Sequence, residues 1–312
     1  MDFWYNSNMK IVVTNNQHFT VEQKERLESL GDVTYYDDLP KDGEEYLKRV
    51  EEADIICSGT AGFKDAYNKL KDVYVTVGFV SVAFVDLEVM KNNNVLVSNA
   101  PGINKNAVSE WIMWMVGCVL RDFDNYLNTT KNLRDFDALP PVFPGFADRN
   151  ITILGYGNVG KQTAKLAEAY GMSVTFFKRG DDIKESVKNA DIVIDTLSSD
   201  PTTEKILNKD FFNSMKEGSS FISVTRSEIL DEDALIEALD NGKLYRACLD
   251  CGGIMVGDTS DSYYKKLLAH PKISVTPHIA YNSTKSFEMG NNVMIDNVEA
   301  FIKGNPQNIL NN

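Results

Sequence analysis

Short apolar runs recur along the whole chain and are separated by longer stretches rich in Glu, Lys, Leu and Ala. The runs at 10–14, 33–36, 54–57, 73–77, 95–97, 151–154, 173–177, 191–195, 219–224, 246–249 and 273–276 read as strands. They are continuous rather than alternating in polarity, as strands covered on both faces are. Between them the apolar positions repeat at helical spacing, most clearly over 21–30, 159–170 and 231–240. Strand–helix alternation of this kind predicts an α/β chain built on parallel sheets.

One break interrupts the pattern. The segment Leu139-Pro-Pro-Val-Phe-Pro-Gly145 holds three of the nine prolines and stands just before the strand at 151–154. Proline removes a ladder donor and fixes φ, so this is a linker or a crossing loop. The mostly apolar stretch before it, 106–127, reads as a long buried helix that links two domains, and 312 residues suits about two. The ten residues from Trp111 to Leu120 are the longest strongly apolar stretch, too short for a bilayer span. Asp2 occupies the place where a signal peptide would carry its basic residues, so a cytoplasmic protein is expected. A formal net charge of −13 argues against nucleic acid as a partner. Four cysteines in a chain of this length make no disulfide framework. Cys248 and Cys251 have the C-x-x-C spacing, but with three histidines in the chain they read as small buried residues rather than as a metal or redox site.

The strand at 151–154 runs into Gly155-Tyr-Gly157-Asn-Val-Gly160 and then a helical pattern. Glycine permits the tight turn at Gly155 and close backbone approach to a pyrophosphate at Gly157. At Gly160 it permits tight helix–strand packing, and the helix N-terminus, with Asn158 and Val159 in its first turn, supplies free N–H groups. This is a dinucleotide-binding turn. At the tip of the next strand, where a carboxylate usually receives the ribose hydroxyls of NAD, stand Lys178 and Arg179. Two cations there suit a 2′-phosphate and favour NADP over NAD. The alternative is that Asp181 or Asp182 reaches the ribose, with the two cations solvated.

Further segments carry a resemblance. Asn99-Ala-Pro101-Gly102-Ile-Asn104 with Val108-Ser-Glu110 resembles the N-x-P-G-x-N…V-A-E segment of the D-isomer-specific 2-hydroxyacid dehydrogenases. The block from Met215 through Arg226 to Leu239, the strand ending Cys248-Leu-Asp250, and Thr276-Pro277-His278-Ile-Ala280 are similar to that family's other motifs, in order, over nearly the whole chain. The resemblance implies two Rossmann/flavodoxin-like parallel-sheet domains. A substrate domain of 9–105 and 279–312 would receive an inserted NAD(P)-binding domain of 106–278, with the active site in the cleft and a homodimer as the assembly. It leaves residues 1–8 as an extension without a role.

The same resemblance implies roles, and the residues suit them. Arg226, with its fixed fork of donors, would anchor and polarise a 2-oxo acid. His278 would be the acid/base, since imidazole titrates near neutral pH. Asp250 would meet the nicotinamide carboxamide, Thr196, Leu197, Val224 and Thr225 would line the nicotinamide and ribose, and Asn104 would stand near the substrate entrance. His18 reads as exposed and His270 as structural.

Two departures from the family pattern matter. The glutamate that usually pairs with the histidine is missing: Met255 stands at its place by the offset from Arg226, while the shorter family spacings from His278 land near Asp258, so either Asp258 substitutes or the histidine works unpaired. In the substrate loop, Phe79 and Ser81 flank Val80 where glycines are usual, so the backbone donors are kept and a phenyl ring is added. The expected function is reduction of a small 2-oxo acid to a 2-hydroxy acid with NADPH or NADH. The alternatives are a nucleotide-binding sensor or scaffold with little turnover, and a formate- or phosphite-type oxidation.

Overall fold

The computed structural model describes residues 9–124, 142–250 and 262–311. In chain order the first elements are β1 (Lys10–Val13), α1 (Val21–Glu28), β2 (Asp32–Tyr35), α2 (Gly43–Arg49), β3 (Ile55–Ser58), α3 (Phe63–Ala66), β4 (Tyr74–Val77), α4 (Leu87–Asn92) and β5 (Leu96–Ser98). Next come α5 (Lys105–Leu120), β6 (Asn150–Leu154), α6 (Asn158–Ala169), β7 (Ser173–Phe177), α7 (Ile183–Val187) and β8 (Ile192–Asp195). The last are α8 (Lys209–Ser214), β9 (Ser219–Ser223), α9 (Glu232–Asp240), β10 (Leu244–Asp250), α10 (Ser262–Leu268), β11 (Ile273–Thr276) and α11 (Thr284–Ile302). Each of the eleven apolar runs overlaps a strand. Among the described residues, no helix is long and apolar enough to cross a membrane.

The chain divides into two units, one within Met1–Asn104 and Asn282–Asn312, the other within Lys105–Tyr281. The first holds a parallel sheet in the order β2-β1-β3-β4-β5. Period-two alternation splits its strands between two cores: Val12 faces one, with Tyr46, Phe63 and Val75, while Ile11 and Val13 face the other, with Met294, Ile295 and Val298 of α11. Buried Asn297 fastens α11 to this sheet by donating to Thr76 Oγ1 at 3.2 Å and to the Asn99 carbonyl at 2.9 Å. The C-terminal helix is thus an integral part of the first unit.

The second unit holds a parallel sheet in the order β11-β10-β9-β8-β6-β7. Val193 faces one core with Phe211, Phe212 and Phe221, whereas Ile192 and Ile194 face the other with Ile112 and Val116 of α5. The helix expected over 106–127 ends sooner. α5 stops at Leu120, and Asp122 adopts a left-handed φ of 47° while its carboxylate accepts from Arg246 Nε at 2.8 Å. A short polar side chain tolerates that backbone, and the conformation cannot continue a right-handed helix. Residues 125–127, residues 139–141 of the proline-rich segment, Cys251, Met255, Asp258 and the N-terminal extension lie outside the described residues.

Candidate active site

Because all strands of the second sheet are parallel, the segments that follow them leave from one edge, where open α/β sheets bind ligands. Gly155 follows β6, Lys178 follows β7, Thr196 follows β8, Arg226 lies beyond β9, Asp250 ends β10 and His278 lies beyond β11. One sheet edge therefore carries nearly every candidate residue of this unit.

The glycine turn has the geometry that its composition requires. Gly155 has φ 103°, and a side chain at Gly160 would place its Cβ 2.3 Å from the Gly155 carbonyl oxygen. Gly157 differs, because nothing lies within 4 Å of a Cβ added there. It is the N-cap of α6 and offers no side chain to the helix N-terminus, so the first N–H groups of a twelve-residue helix, beginning at exposed Asn158, are left for another acceptor. An open approach at a bare helix N-terminus fits a pyrophosphate. Val159 is fixed from behind, its carbonyl accepting from Ser109 Oγ at 3.2 Å. Thr196 closes the other wall: its hydroxyl donates to the Leu154 carbonyl at 2.9 Å, and its own carbonyl would lie 3.0 Å from a Cβ on Gly155.

At the tip of β7, Lys178 Nζ stands 4.5 Å from the centroid of the Tyr156 ring, and Lys161 Nζ lies at the same distance from that ring. Arg179 is 80% exposed and pairs with Asp200 at 3.1 Å. Asp181 accepts from the Lys178 N–H and Asp182 caps α7, so both carboxylates have local work. Tyr156 and Lys161 were not singled out in the sequence, although both lie within or beside the glycine fingerprint.

Arg226 is exposed, and its Nε and NH2 groups approach Glu228 only at 3.4 Å. The turn before it is held from beneath by Asp195, a carboxylate with no solvent exposure. Asp195 accepts from Leu197 N at 3.1 Å, Ser223 Oγ at 2.9 Å and Thr225 Oγ1 at 2.5 Å, and the Val224 N–H donates to its main-chain carbonyl at 3.2 Å. Burial pushes its carboxyl up to about 6, against the opposing pull of those donors. The sequence reading passed over Asp195; the available signal was a single charge at the end of the apolar run Ile192-Val-Ile.

His278 has a φ of 52°, in the left-handed region that disfavours a β-carbon. Asp250 holds that turn. Its Oδ1 accepts from Thr276 Oγ1 at 2.5 Å and Ile279 N at 2.9 Å, and its Oδ2 accepts from Ala280 N at 2.9 Å. The His278 ring is exposed and meets Tyr281 edge-on at 5.5 Å. His270 pairs instead with Asp240 at 3.1 Å, and His18 is exposed beside Phe287. Burial pushes the thiols of Cys57 and Cys248 up to about 12, which makes them poor nucleophiles.

In the first unit, the loop after β4 has its carbonyls tied back and its donors open. Ala100 N donates to the Phe79 carbonyl at 3.0 Å, and Asn99 Nδ2 to the Val80 carbonyl at 2.5 Å. The N–H groups of Phe79, Val80 and Ser81 have no hydrogen-bond acceptor among the described residues. The Phe79 ring lies 6.3 Å from that of Phe84, partly buried on the core. Asn104 is half-buried at the end of this unit, just before α5.

Comparison with known proteins agrees with this architecture. The family model for the D-isomer specific 2-hydroxyacid dehydrogenase, NAD binding domain, matches residues 113–280. D-3-phosphoglycerate dehydrogenase 2, chloroplastic, of Arabidopsis thaliana is 29% identical over 88% of this chain, and the match covers 45% of that longer protein. Hydroxypyruvate reductase of Blautia hydrogenotrophica is 25% identical over 91% of this chain and 94% of its own length. An acyclic imino acid reductase (Bsp5), solved with NADPH and D-Arg, superposes with a TM-score of 0.80 at 24% identity over 97% of this chain and all of its own. The family model spans more than half of the sequence, and the chain belongs to the D-isomer-specific 2-hydroxyacid dehydrogenases, a family of NAD(P)-dependent oxidoreductases.

Proposed function

We propose that the protein reduces a small 2-oxo acid to its 2-hydroxy acid with NADPH preferred over NADH, Arg226 anchoring the substrate and His278 acting as the acid. The observation that carries this reading is the shared sheet edge, on which an exposed arginine and an exposed histidine each sit on a turn fastened by a buried carboxylate. The nicotinamide cofactor supplies the hydride when bound. Gly155, Gly157 and Gly160 with Asn158 and Val159 would hold its pyrophosphate, and Thr196, Leu197, Val224 and Thr225 its nicotinamide half.

Among the described residues Arg226 meets only a distant carboxylate, so its donors suit the carboxylate and carbonyl oxygen of a substrate and would polarise the carbonyl. His278 would give its proton to the developing alkoxide, and Asp250 keeps its ring on a turn that the backbone alone would not favour. Phe79, Val80 and Ser81 offer backbone donors suited to a carboxylate, and Asn104 would contribute near the entrance. Lys178, with Lys161 beside the same ring and Arg179 next in sequence, supports the choice of NADPH, because Asp181 and Asp182 are engaged elsewhere. The homodimer that the family resemblance implies belongs to this proposal and is tested by sedimentation velocity.

The test is loss of reduced-nicotinamide absorbance with NADPH and NADH in parallel against a panel of 2-oxo acids. Turnover that is lost in both Arg226→Ala and His278→Ala is the expected result. Tight nucleotide binding without turnover across the panel would favour the sensor reading instead.

A further inference from the structure

Asp195 occupies the middle of the second sheet. Leu154 of β6 and Ser223 of β9 lie level with it on either side, and neither strand contains a charged residue. A carboxylate in such surroundings is retained only where donors compensate its loss of water. Its donors are not spread over the fold. Beyond Leu197 on its own segment, they are the Ser223 hydroxyl, the Thr225 hydroxyl and, at its main-chain carbonyl, the Val224 N–H. Asp195 therefore grips three successive residues, and the next residue is Arg226.

Hydrogen bonds hold the chain on both sides of Arg226. Thr225 N donates to Ser223 Oγ at 3.3 Å, and the two hydroxyl oxygens lie 3.1 Å apart, so Asp195, Ser223 and Thr225 form one closed network. On the other side a short helical turn over Ser227–Ile229 begins with no side-chain cap, and Glu228 reaches the guanidinium only at 3.4 Å. Beyond Arg226 the chain is tied by main-chain bonds, Ile229 N to the Arg226 carbonyl at 3.2 Å and Lys205 N to the Glu228 carbonyl at 2.9 Å, and on the Thr225 side its approach is fixed through Asp195.

We infer that Asp195 is a positioning residue for Arg226, its buried carboxylate fixing the Ser223–Thr225 turn so that the guanidinium is held ready for an anionic substrate. This rests on Arg226 being the substrate anchor. Thr225 is the link: its hydroxyl goes down to Asp195 while its main chain continues into Arg226. An aspartate serves where an apolar residue of similar size would not, because a hydrogen-bonding group is needed to hold two hydroxyls and an N–H together.

The experiment measures kcat and KM for the best 2-oxo acid, and the dissociation constant of reduced cofactor by fluorescence, in the full-length protein. Asp195→Leu is expected to raise the KM for the oxo acid at least tenfold, with cofactor affinity changed less than threefold. Asp195→Asn is expected to restore most of that loss, since its amide can keep the Leu197 contact and both hydroxyls can reverse to accept. Should Asp195→Leu fail to fold, Thr225→Val removes the linking hydroxyl alone and is expected to raise the same KM. An unchanged KM in Thr225→Val overturns the inference, as does an Asp195→Asn variant as impaired as Asp195→Leu. Arg226→Ala with an unchanged KM would instead overturn the assignment of the anchor, which separates the two failures.

Discussion

Asparagine in place of Asp250 exchanges one oxygen for an amino group of almost the same size, yet the turn beneath His278 cannot absorb the change. The carboxylate takes three donors, and two of them are backbone N–H groups on different oxygens: Ile279 N on Oδ1 and Ala280 N on Oδ2. An amide has one acceptor oxygen. In either flip state its NH2 points at a backbone N–H that cannot reverse, whereas the Thr276 hydroxyl can. A buried donor left facing a donor costs about 1–3 kcal/mol, and the contacts that survive change from charged to neutral at about 1 kcal/mol each. Relief of carboxylate burial offsets part of this for the fold as a whole, but not for the turn. Holding a non-glycine residue at the left-handed φ of His278 costs about 1–2 kcal/mol by itself. A local loss of about 3 kcal/mol exceeds that, so the turn should relax and carry His278 out of place. If the chemistry depends on that placement, about 3 kcal/mol corresponds to roughly 100-fold in kcat. The assay compares kcat for Asp250→Asn and Asp195→Asn. Asp195 has one fixed N–H donor and two reversible hydroxyls, so the same substitution there should lose far less. If Asp250→Asn keeps kcat within threefold of the wild type, the turn does not depend on the carboxylate and the reasoning is refuted.

Other expectations concern different parts of the molecule. Asp195 titrates near 6 in the native state and near 3.9 when unfolded, so the native state holds the extra proton between those values and stability falls as pH rises through that window. From about pH 5 to about pH 7.5 the loss should be about 1 kcal/mol, read by urea unfolding as the difference between wild type and Asp195→Asn, which lacks this titration. Gly160→Ala drives a Cβ against the Gly155 carbonyl and should lower stability by about 1–3 kcal/mol, whereas Gly157→Ala meets open space and should chiefly weaken nucleotide binding in a fluorescence titration. Lys161→Ala or Lys178→Ala should each raise the KM for NADPH about tenfold, about 1.4 kcal/mol, and leave that for NADH nearly unchanged. Gly290→Ala places a Cβ 2.2 Å from the Gly78 carbonyl and should displace the loop that begins there, seen as a higher KM for the oxo acid with unchanged cofactor affinity.

The architecture was legible because parallel strands buried on both faces must be apolar throughout, and each such run in this chain proved to overlap a strand. The end of α5 was not, because its terminating residue is an aspartate whose left-handed backbone is supported by Arg246, far away in sequence. Apolar periodicity reports burial and cannot register a stop imposed by a distant partner. The candidate site divides in the same way. Arg226 and His278 stood out as candidates because exposed chemistry sits beside recognisable glycines, prolines and strand ends. Asp195 looked like an ordinary polar residue closing a strand, since only the fold shows that Ser223 and Thr225 converge on it.

That difference has a physical basis that bears on how the site works. A group that touches substrate must lie at the surface of its unit and carries its chemistry in its residue type. A group that aims such a residue must be buried, and its role lies in what the sheet register brings alongside it. Here the register sets Asp195 beside Ser223 and Asp250 beside Thr276, so each carboxylate stands one strand away from the turn that it fastens. The two clamps nevertheless differ in kind. Asp250 is held by backbone donors that cannot reverse, so its turn is fixed as long as the carboxylate is present. Asp195 is held mainly by hydroxyls that can donate or accept, so the turn ahead of Arg226 can survive its protonation. On the proposed assignment, a site built this way would keep its acid, His278, on a rigid mount and its anion anchor, Arg226, on one that tolerates the proton that burial invites.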